Sequence, residues 1–459
     1  MSSEMKVEVI HQEIVQPSSP TPSHLRSAYL SFFDQFMPEC HVPLLLFYPN
    51  NTNRDEINID HHSLVAQRSK LLKTSLSETL THFHPFAGRI QDNISISCND
   101  QGAAFIEARV NCPISTILVK PDLGMLNELI VDGSIQREEV CGTSYLLVVQ
   151  VSYFECGGVA IGVNFSHKIM DAYTLNTFLN SWAAIALGSR NATTDHVVHH
   201  HLPDAADQFG AAATVFPPLD FLKFNSSTAV KFTPKDKCVI RRFVFNTSKI
   251  AALKSRSASA TVPNPTRVEV VSSLIWKCLM EASRANSGCI RPSVWCQSVN
   301  MRKVLLAHEQ RKNLMGNLVV KIFAEKTEAE GDDLQSLVCK LRKTVEENKA
   351  KYGSGVISGE DVCQLWREYV ELMQKRDDID SYGCTSWCRF QYYGADFGWG
   401  KPSWICVPGA SQFKNMIVFM DTRDGDGLEA RLTLNEEDMA LMESNEELLA
   451  YASLNPTVI

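Results

Sequence analysis

At 459 residues the chain exceeds one ordinary core, and two domains are expected. Its 44% hydrophobic and 21% charged content is that of a soluble globular protein. Lys+Arg 44 against Asp+Glu 52 gives a net charge of -8, which excludes a basic field for nucleic acid or an anionic membrane surface.

The opening MSSEMKVEVIHQEIV has no basic region followed by an apolar run, so no secretory signal is expected. No stretch has the length and apolarity of a membrane span. A cytosolic protein is the expectation. The 14 cysteines are scattered without a C-x-x-C pair, so free thiols and no metal site are expected. Cys384 and Cys388 lie in an apolar aromatic stretch and read as buried thiols.

Val7 to Val15 alternates weakly and reads as an edge strand. Pro17-Ser-Ser-Pro-Thr-Pro22 forces an extended connection. Val42 to Tyr48 is a short buried strand ending at Pro49. Leu64, Leu71, Leu72, Leu76 and Leu80 predict a helix from Leu64 to about Thr81. Short strands follow at Ile94 to Ser97 and Ala103 to Val110, then a helix with a Leu/Met face near Leu123 to Leu129. Tyr145 to Tyr153 is apolar and β-branched, Gly157-Gly158 supplies a turn, and Val159 to Phe165 returns as a second strand. Leu175, Phe178, Leu179 and Trp182 then recur at helical spacing, to about Leu187.

Residues 189–236 read as a linker by composition. His199-His200-His201 within it has no Cys or carboxylate partners at ligand spacing and reads as a solvated loop. Beyond it, Val239 to Phe245 alternates as a strand. Val268, Val271, Leu274, Ile275, Cys278 and Leu279 mark a strongly amphipathic helix. Ser293 to Asn300 and Leu318 to Phe323 read as strands. Helices are expected from Leu334 to near Tyr352-Gly353 and over about Glu360 to Gln374. Met416 to Met420 and Leu428 to Leu434 are strands about a Gly425-Asp426-Gly427 turn, and Asn435 caps a last helix. The pattern is mixed α/β.

The stretch that carries chemistry is Phe154 to Trp182. His167 falls where a strand ends and a helix is about to begin, with Asp171 four positions on. Such a junction is fixed by the core yet can face a cleft. His-x-x-x-Asp alone is a weak signal, and in most soluble proteins it is a core histidine followed by a helix-capping Asp. A second motif, Asp396-Phe397-Gly398-Trp399-Gly400, changes that. The two motifs, in this order and this far apart, resemble those of the plant BAHD acyltransferases, which use acyl-coenzyme A. The resemblance spans nearly the whole chain: PSSPTP, LTHFHPFAGR, FECGG, VNMR, MGN, TSWCRF and DTRDGDG also match. Within the family it is nearest to the branch of alkaloid and terpenoid O-acetyltransferases.

The resemblance implies two chloramphenicol-acetyltransferase-like domains, 1–188 and 237–459, joined by a crossover loop at 189–236. Part of about 380–412 is expected to pack with the first domain. A tunnel between the domains would admit acyl-CoA from one face and an alcohol from the other, in a monomer without bound cofactor. His167 is then the general base, because an imidazole titrates near neutral pH and can take the proton of an attacking hydroxyl. The break between strand and helix means that helical geometry between His167 and Asp171 cannot be assumed. The resemblance pairs Asp171 with Arg302 of the Val299-Asn300-Met301-Arg302 motif, as structural support of the His loop. Asn317 is the oxyanion candidate, and Trp399 a weaker one through its indole N–H, with plain core packing as its alternative. Asp396, Gly398 and Gly400 are expected to be structural, and Thr385, Ser386, Trp387 and Arg389 to line the tunnel or donor site.

Ser166 precedes His167, so the His-His form of peptide-synthetase condensation domains is absent and carrier-protein substrates are not expected. The expected function is acetyl transfer from acetyl-CoA to a hydroxyl of an alkaloid or terpenoid. The alternatives are acylsugar, longer-chain or N-acyl transfer, or a non-catalytic homologue that binds small molecules.

Overall fold

The computed structural model describes residues 5–50, 60–92, 94–131, 145–190, 213–214, 238–305, 314–353, 357–374, 379–408 and 414–459. Nearly all of the expected crossover, including His199, His200 and His201, lies outside the described residues.

Two mixed sheets carry the fold. The first runs Val7–Val15, Ala103–Val110, Leu147–Phe154, Val159–Ser166, His41–Tyr48 and Trp404–Cys406. Its central pair, Leu147–Phe154 and Val159–Ser166, is buried at every position, which is why both strands read as continuous apolar runs rather than alternating ones. The second sheet runs Val319–Lys326, Ser293–Asn300, Asp380–Ser386, Met416–Asp421, Leu428–Asn435, Cys238–Phe245 and Ser453–Leu454. A small third sheet joins Ser27–Tyr29, Ser95–Ser97 and Arg89–Ile90.

Helices cover these sheets through their apolar faces. His61–His82 begins a turn earlier than its leucines suggest, because the Asp60 carboxylate accepts from the His62 and Ser63 amides. It packs on Ala172–Arg190, where the Trp182 indole donates to Ser75 Oγ at 3.0 Å. Arg267–Ser287 starts with a Thr266/Glu269 capping box and ends at Gly288 in the left-handed region. It packs on Leu334–Tyr352 beneath the second sheet.

Some elements depart from the sequence-based expectation. The segment near Leu123 to Leu129 forms only a short 3₁₀ helix, Met125–Leu129. The last helix is two, Glu436–Ser444 and Glu446–Tyr451, because the Asn445 side chain accepts from the Leu448 amide and starts a new turn. The helix Thr247–Ser257 buries only Ile250, Leu253 and Ser257, too faint a stripe to have been read. Asp380–Ser386 (DSYGCTS) has little strand propensity. It is a strand because it is flanked by parallel partners on both sides, Ser293–Asn300 and Met416–Asp421. Trp404–Cys406, also unread, pairs antiparallel with Leu45–Phe47, so the late chain returns to the first sheet.

Candidate active site

The His167 loop is held by its backbone. Ser166 is the last residue of its strand, opposite His41. The His167 amide donates to the Cys40 carbonyl at 2.9 Å. The chain turns through Ile169, whose amide donates to Ser166 O, and enters the helix at Ala172. Asp171 caps that helix: its Oδ1 accepts from the Thr174 amide at 2.9 Å.

Asp171 Oδ2 meets Arg302 Nη1 at 2.5 Å and also accepts from the Leu318 amide. Both partners of the ion pair are nearly inaccessible, 3% for Arg302 and 4% for Asp171. The remaining guanidinium donors reach the Leu314 and Gly316 carbonyls at 3.0 and 2.8 Å, and the group lies 4.2 Å from the Tyr173 ring centroid. A buried pair this fully hydrogen-bonded ties the helix after His167 to the loop before Val319–Lys326.

Asn317 sits in that second loop, fully buried. Its Nδ2 donates to the His167 carbonyl at 2.8 Å and to Asp34 Oδ1 at 2.9 Å. Turning the amide over would set its oxygen against two acceptors, so the orientation is fixed by repulsion. Both amide protons are therefore committed. In this structure Asn317, expected to face an oxyanion, holds the His167 backbone carbonyl instead.

Asp34 was not singled out in the sequence. It lies in the short helix Phe32–Gln35, and its Oδ2 accepts from Ser31 N and Oγ while Oδ1 accepts from Asn317 N and Nδ2. Burial raises its carboxyl to about 6, despite those hydrogen bonds. The Ser-x-x-Asp spacing announces a helix cap, but nothing local announces the reach to Asn317. Gly316, at φ 91°, brings the chain so close that an added Cβ would lie 3.1 Å from the Asp34 carboxylate oxygens.

His167 lines a cavity of about 570 Å³ together with Thr385, Ser386 and Trp387. Its Nδ1 is buried and, among the described residues, has no acceptor of good geometry beyond the proximity of its own carbonyl, which leaves Nε2 as the nitrogen open to the cavity. Burial lowers the pKa of the imidazole, the Lys321 charge lowers it further, and its own backbone carbonyl counters them. That carbonyl is the one Asn317 holds.

The remaining expected residues are elsewhere. Arg389 is exposed at φ 68°, with its amide donating to Asp421 Oδ2, and does not line the cavity. Asp396 Oδ1 accepts from the Gly398 and Gly400 amides at 2.8 and 3.0 Å, closing a loop that needs φ 97° and 102° at those glycines. Trp399 stacks on Phe397, meets Tyr48 edge-on and has Arg68 5.2 Å from its ring centroid. Its indole N–H is buried without an acceptor among the described residues, and it does not line the cavity with His167. Of the two roles expected for Trp399, the described contacts are those of packing.

Among the described residues, one cluster, His11, Glu13 and Glu107, has ligand-like spacing. Lys73 Nζ bridges its two carboxylates at 2.5 and 2.7 Å, an ammonium where a metal ion would sit. No described helix is long and apolar enough to cross a membrane.

Known proteins resemble this chain along its whole length. Akuammiline synthase 1 of Alstonia scholaris is 39% identical over 97% of this chain and 97% of its own. Stemmadenine O-acetyltransferase of Catharanthus roseus is 36% identical over 96% of this chain and 97% of its own. The crystal structure of vinorine synthase superposes with a TM-score of 0.81 at 34% identity, covering 99% of this chain and 100% of that one. The model of the Transferase family matches residues 5–449. With His-x-x-x-Asp and DFGWG in their expected order and the full length covered, the chain is an acyltransferase and belongs to this Transferase (BAHD) family.

Proposed function

We propose that the protein transfers an acetyl group from acetyl-CoA to a hydroxyl of a plant specialised metabolite, an alkaloid or terpenoid alcohol, with His167 as general base. The observation that carries the reading is the His167 ring itself. It is buried on its Nδ1 side, open on its Nε2 side to a large cavity, and lowered in pKa so that it is neutral at pH near 7. The names of the relatives supply the acetyl group and the substrate class.

The alcohol oxygen attacks the thioester carbonyl carbon, and its proton passes to His167 Nε2 as the C–O bond forms. The tetrahedral intermediate collapses, the C–S bond breaks, and the proton moves from Nε2 to the thiolate of coenzyme A. The imidazole ends as it began, and no covalent acyl-enzyme is required. For Nε2 to act this way the resting proton must be on Nδ1, which lies on the buried side. Asp171 supports the loop through Arg302, and Asn317 and Asp34 hold the His167 carbonyl. With this reading go the cytosolic location and monomeric state that the family resemblance implies.

The test is coenzyme A release with mass spectrometry of the product, using acetyl-CoA and a panel of alkaloid, terpenoid, phenolic and sugar alcohols. Gain of one acetyl group, absent in His167→Ala, is the expected result. Acetylation that survives in the variant overturns the assignment of the base. Turnover only with longer acyl donors moves the substrate class to the longer-chain alternative.

A further inference from the structure

Acyl transfer puts negative charge on one atom. As the alcohol adds, the thioester carbonyl oxygen becomes an oxyanion, which is stabilised by a donor or a positive charge beside it. In this structure the Asn317 amide is engaged by the His167 carbonyl and Asp34, and Trp399 does not line the cavity. The second sheet offers another group.

Lys321 is opposite Ser298, and Ser298 opposite Thr385, across three neighbouring strands. Residues directly opposite one another point to the same face of a sheet. All three line the cavity that His167 lines. Lys321 is half-buried, and its Nζ donates to Ser298 Oγ at 2.8 Å. An ammonium carries three donors, so that bond leaves two. No described carboxylate lies within ion-pair distance of it. Lys321 is also near the base. Its charge bears on the His167 ring more strongly than that of Asp171, which stands four positions away in the same loop. Coulomb energy falls with distance, so an ammonium touching the oxyanion stabilises it by more than it repels an imidazolium farther off. The flexible four-carbon stem of a lysine lets the ammonium follow the oxygen as the carbonyl carbon becomes tetrahedral.

We propose that the Lys321 ammonium, held by Ser298, is the donor to the oxyanion of the tetrahedral intermediate. The C=O π pair moves onto oxygen as the C–O bond forms and returns as the C–S bond breaks. Lys321 donates a hydrogen bond throughout and keeps its proton, so the proton balance through His167 is unchanged. This rests on the acyl-transfer reading and names a further catalytic residue for it. It asks nothing of the charge elsewhere on the acceptor, so a protonated alkaloid nitrogen away from the reacting hydroxyl is compatible with it.

The first test is spectroscopic and does not depend on turnover. The full chain is loaded with acetyl-CoA, labelled and unlabelled at the carbonyl carbon, and the infrared difference spectrum isolates the bound thioester C=O stretch. Donation by Lys321 should place that stretch at lower frequency in the wild type than in Lys321→Met. Lys321→Arg should keep most of the lowering, and Ser298→Ala, which removes the anchor, should lose part of it. These two variants leave a long cation in place, so a misfolded Met variant does not end the test. The second test is the coenzyme A release assay. Lys321→Met should lower kcat by about a hundred- to a thousand-fold, the usual loss for one oxyanion donor, with little change in the KM of acetyl-CoA. Its acid limb should also move up, because the charge that lowers His167 is gone. A limb that moves while the plateau of kcat holds makes Lys321 a tuner of His167 alone and overturns the proposal. A carbonyl frequency that is the same in Lys321→Met also overturns it, and neither result touches acyl transfer itself. If acetyl-CoA fails to bind the wild type, the acetyl-transfer reading falls and the proposal with it.

Discussion

The loop around His167 and the loop from Asp396 to Gly400 look alike as sequence motifs but are built for different ends. The first leans on distant parts of the chain: Cys40, Asp34, Arg302 and Asn317 all bear on a few residues. The second closes on itself, through one carboxylate oxygen accepting from two of its own glycine amides. Its aromatic rings then enter the core beside Trp182 and Tyr48. A loop held from far away places a side chain; a loop held by itself places a surface. The lesson is that a motif's composition does not say which of the two it is.

The comparison breaks most visibly at the base. His167→Ala should lower kcat/KM by roughly a hundred- to ten-thousand-fold, the usual share of a general base. An unchanged circular-dichroism melt would show that the fold is intact. In the wild type the acid limb of kcat/KM should fall below the ordinary histidine range, since burial lowers this group. A limb at or above that range would contradict the neutral base.

Next in size is the tie between the halves. Arg302→Leu leaves the Asp171 carboxylate buried without its partner, which costs about 3–5 kcal/mol. Urea unfolding should show it, and Asp171→Ala added to Arg302→Leu should recover part of the loss. No recovery would mean that the capping bond to Thr174, rather than the ion pair, is what matters.

Asn317→Ala should lower kcat by about tenfold or more with little change in KM, because it frees the His167 carbonyl without touching the cavity wall. If KM rises and kcat holds, Asn317 acts on binding and not on the base.

Asp34 gives a sharper test through pH. Its carboxyl is raised from 3.8 in the free state to about 6 on folding. Between those values the folded protein holds a proton that the unfolded chain lacks. Its contribution to stability therefore falls as pH rises through that window. Melting temperature relative to Asp34→Asn should decline from pH 3.8 to about 6, and a flat difference would place the proton elsewhere.

The smallest effect is expected in the self-closed loop. Trp399→Phe removes an indole N–H that has no acceptor among the described residues and keeps the stacking on Phe397. Stability should change by less than about 1 kcal/mol, with kcat unchanged. A large loss of kcat would return Trp399 to the chemistry.

Much of the fold was legible because burial leaves a period behind. The Leu147–Phe154 and Val159–Ser166 pair, the leucine stripe of His61–His82 and the capped helix Arg267–Ser287 all declare themselves locally. Asp380–Ser386 did not, since a strand made by its two neighbours has no need of its own propensity. At the site, His167, Asp171 and Arg302 were legible through their motifs. Asp34 was not, because its bond to Asn317 spans 283 positions of the chain. Lys321 was hidden for another reason. In Val319–Lys326 it alternates with Val320 and Ile322, so it reads as a solvent-facing residue.

By itself, then, the sequence determined where most of the helices and the central strands of the first sheet lie, which family's motifs are present, and that a histidine stands at a strand-to-helix junction. These follow from spacing within a few residues. The tertiary structure alone decided that the Asn317 amide bridges the His167 carbonyl and Asp34 and that Trp399 packs away from the cavity. It also decided that one face of five strands, at Lys321, Ser298, Thr385, Val418 and Arg431, meets as one wall of the cavity. Hydrogen-bond saturation and cross-strand register are properties of partners, and partners far apart in sequence meet only on folding.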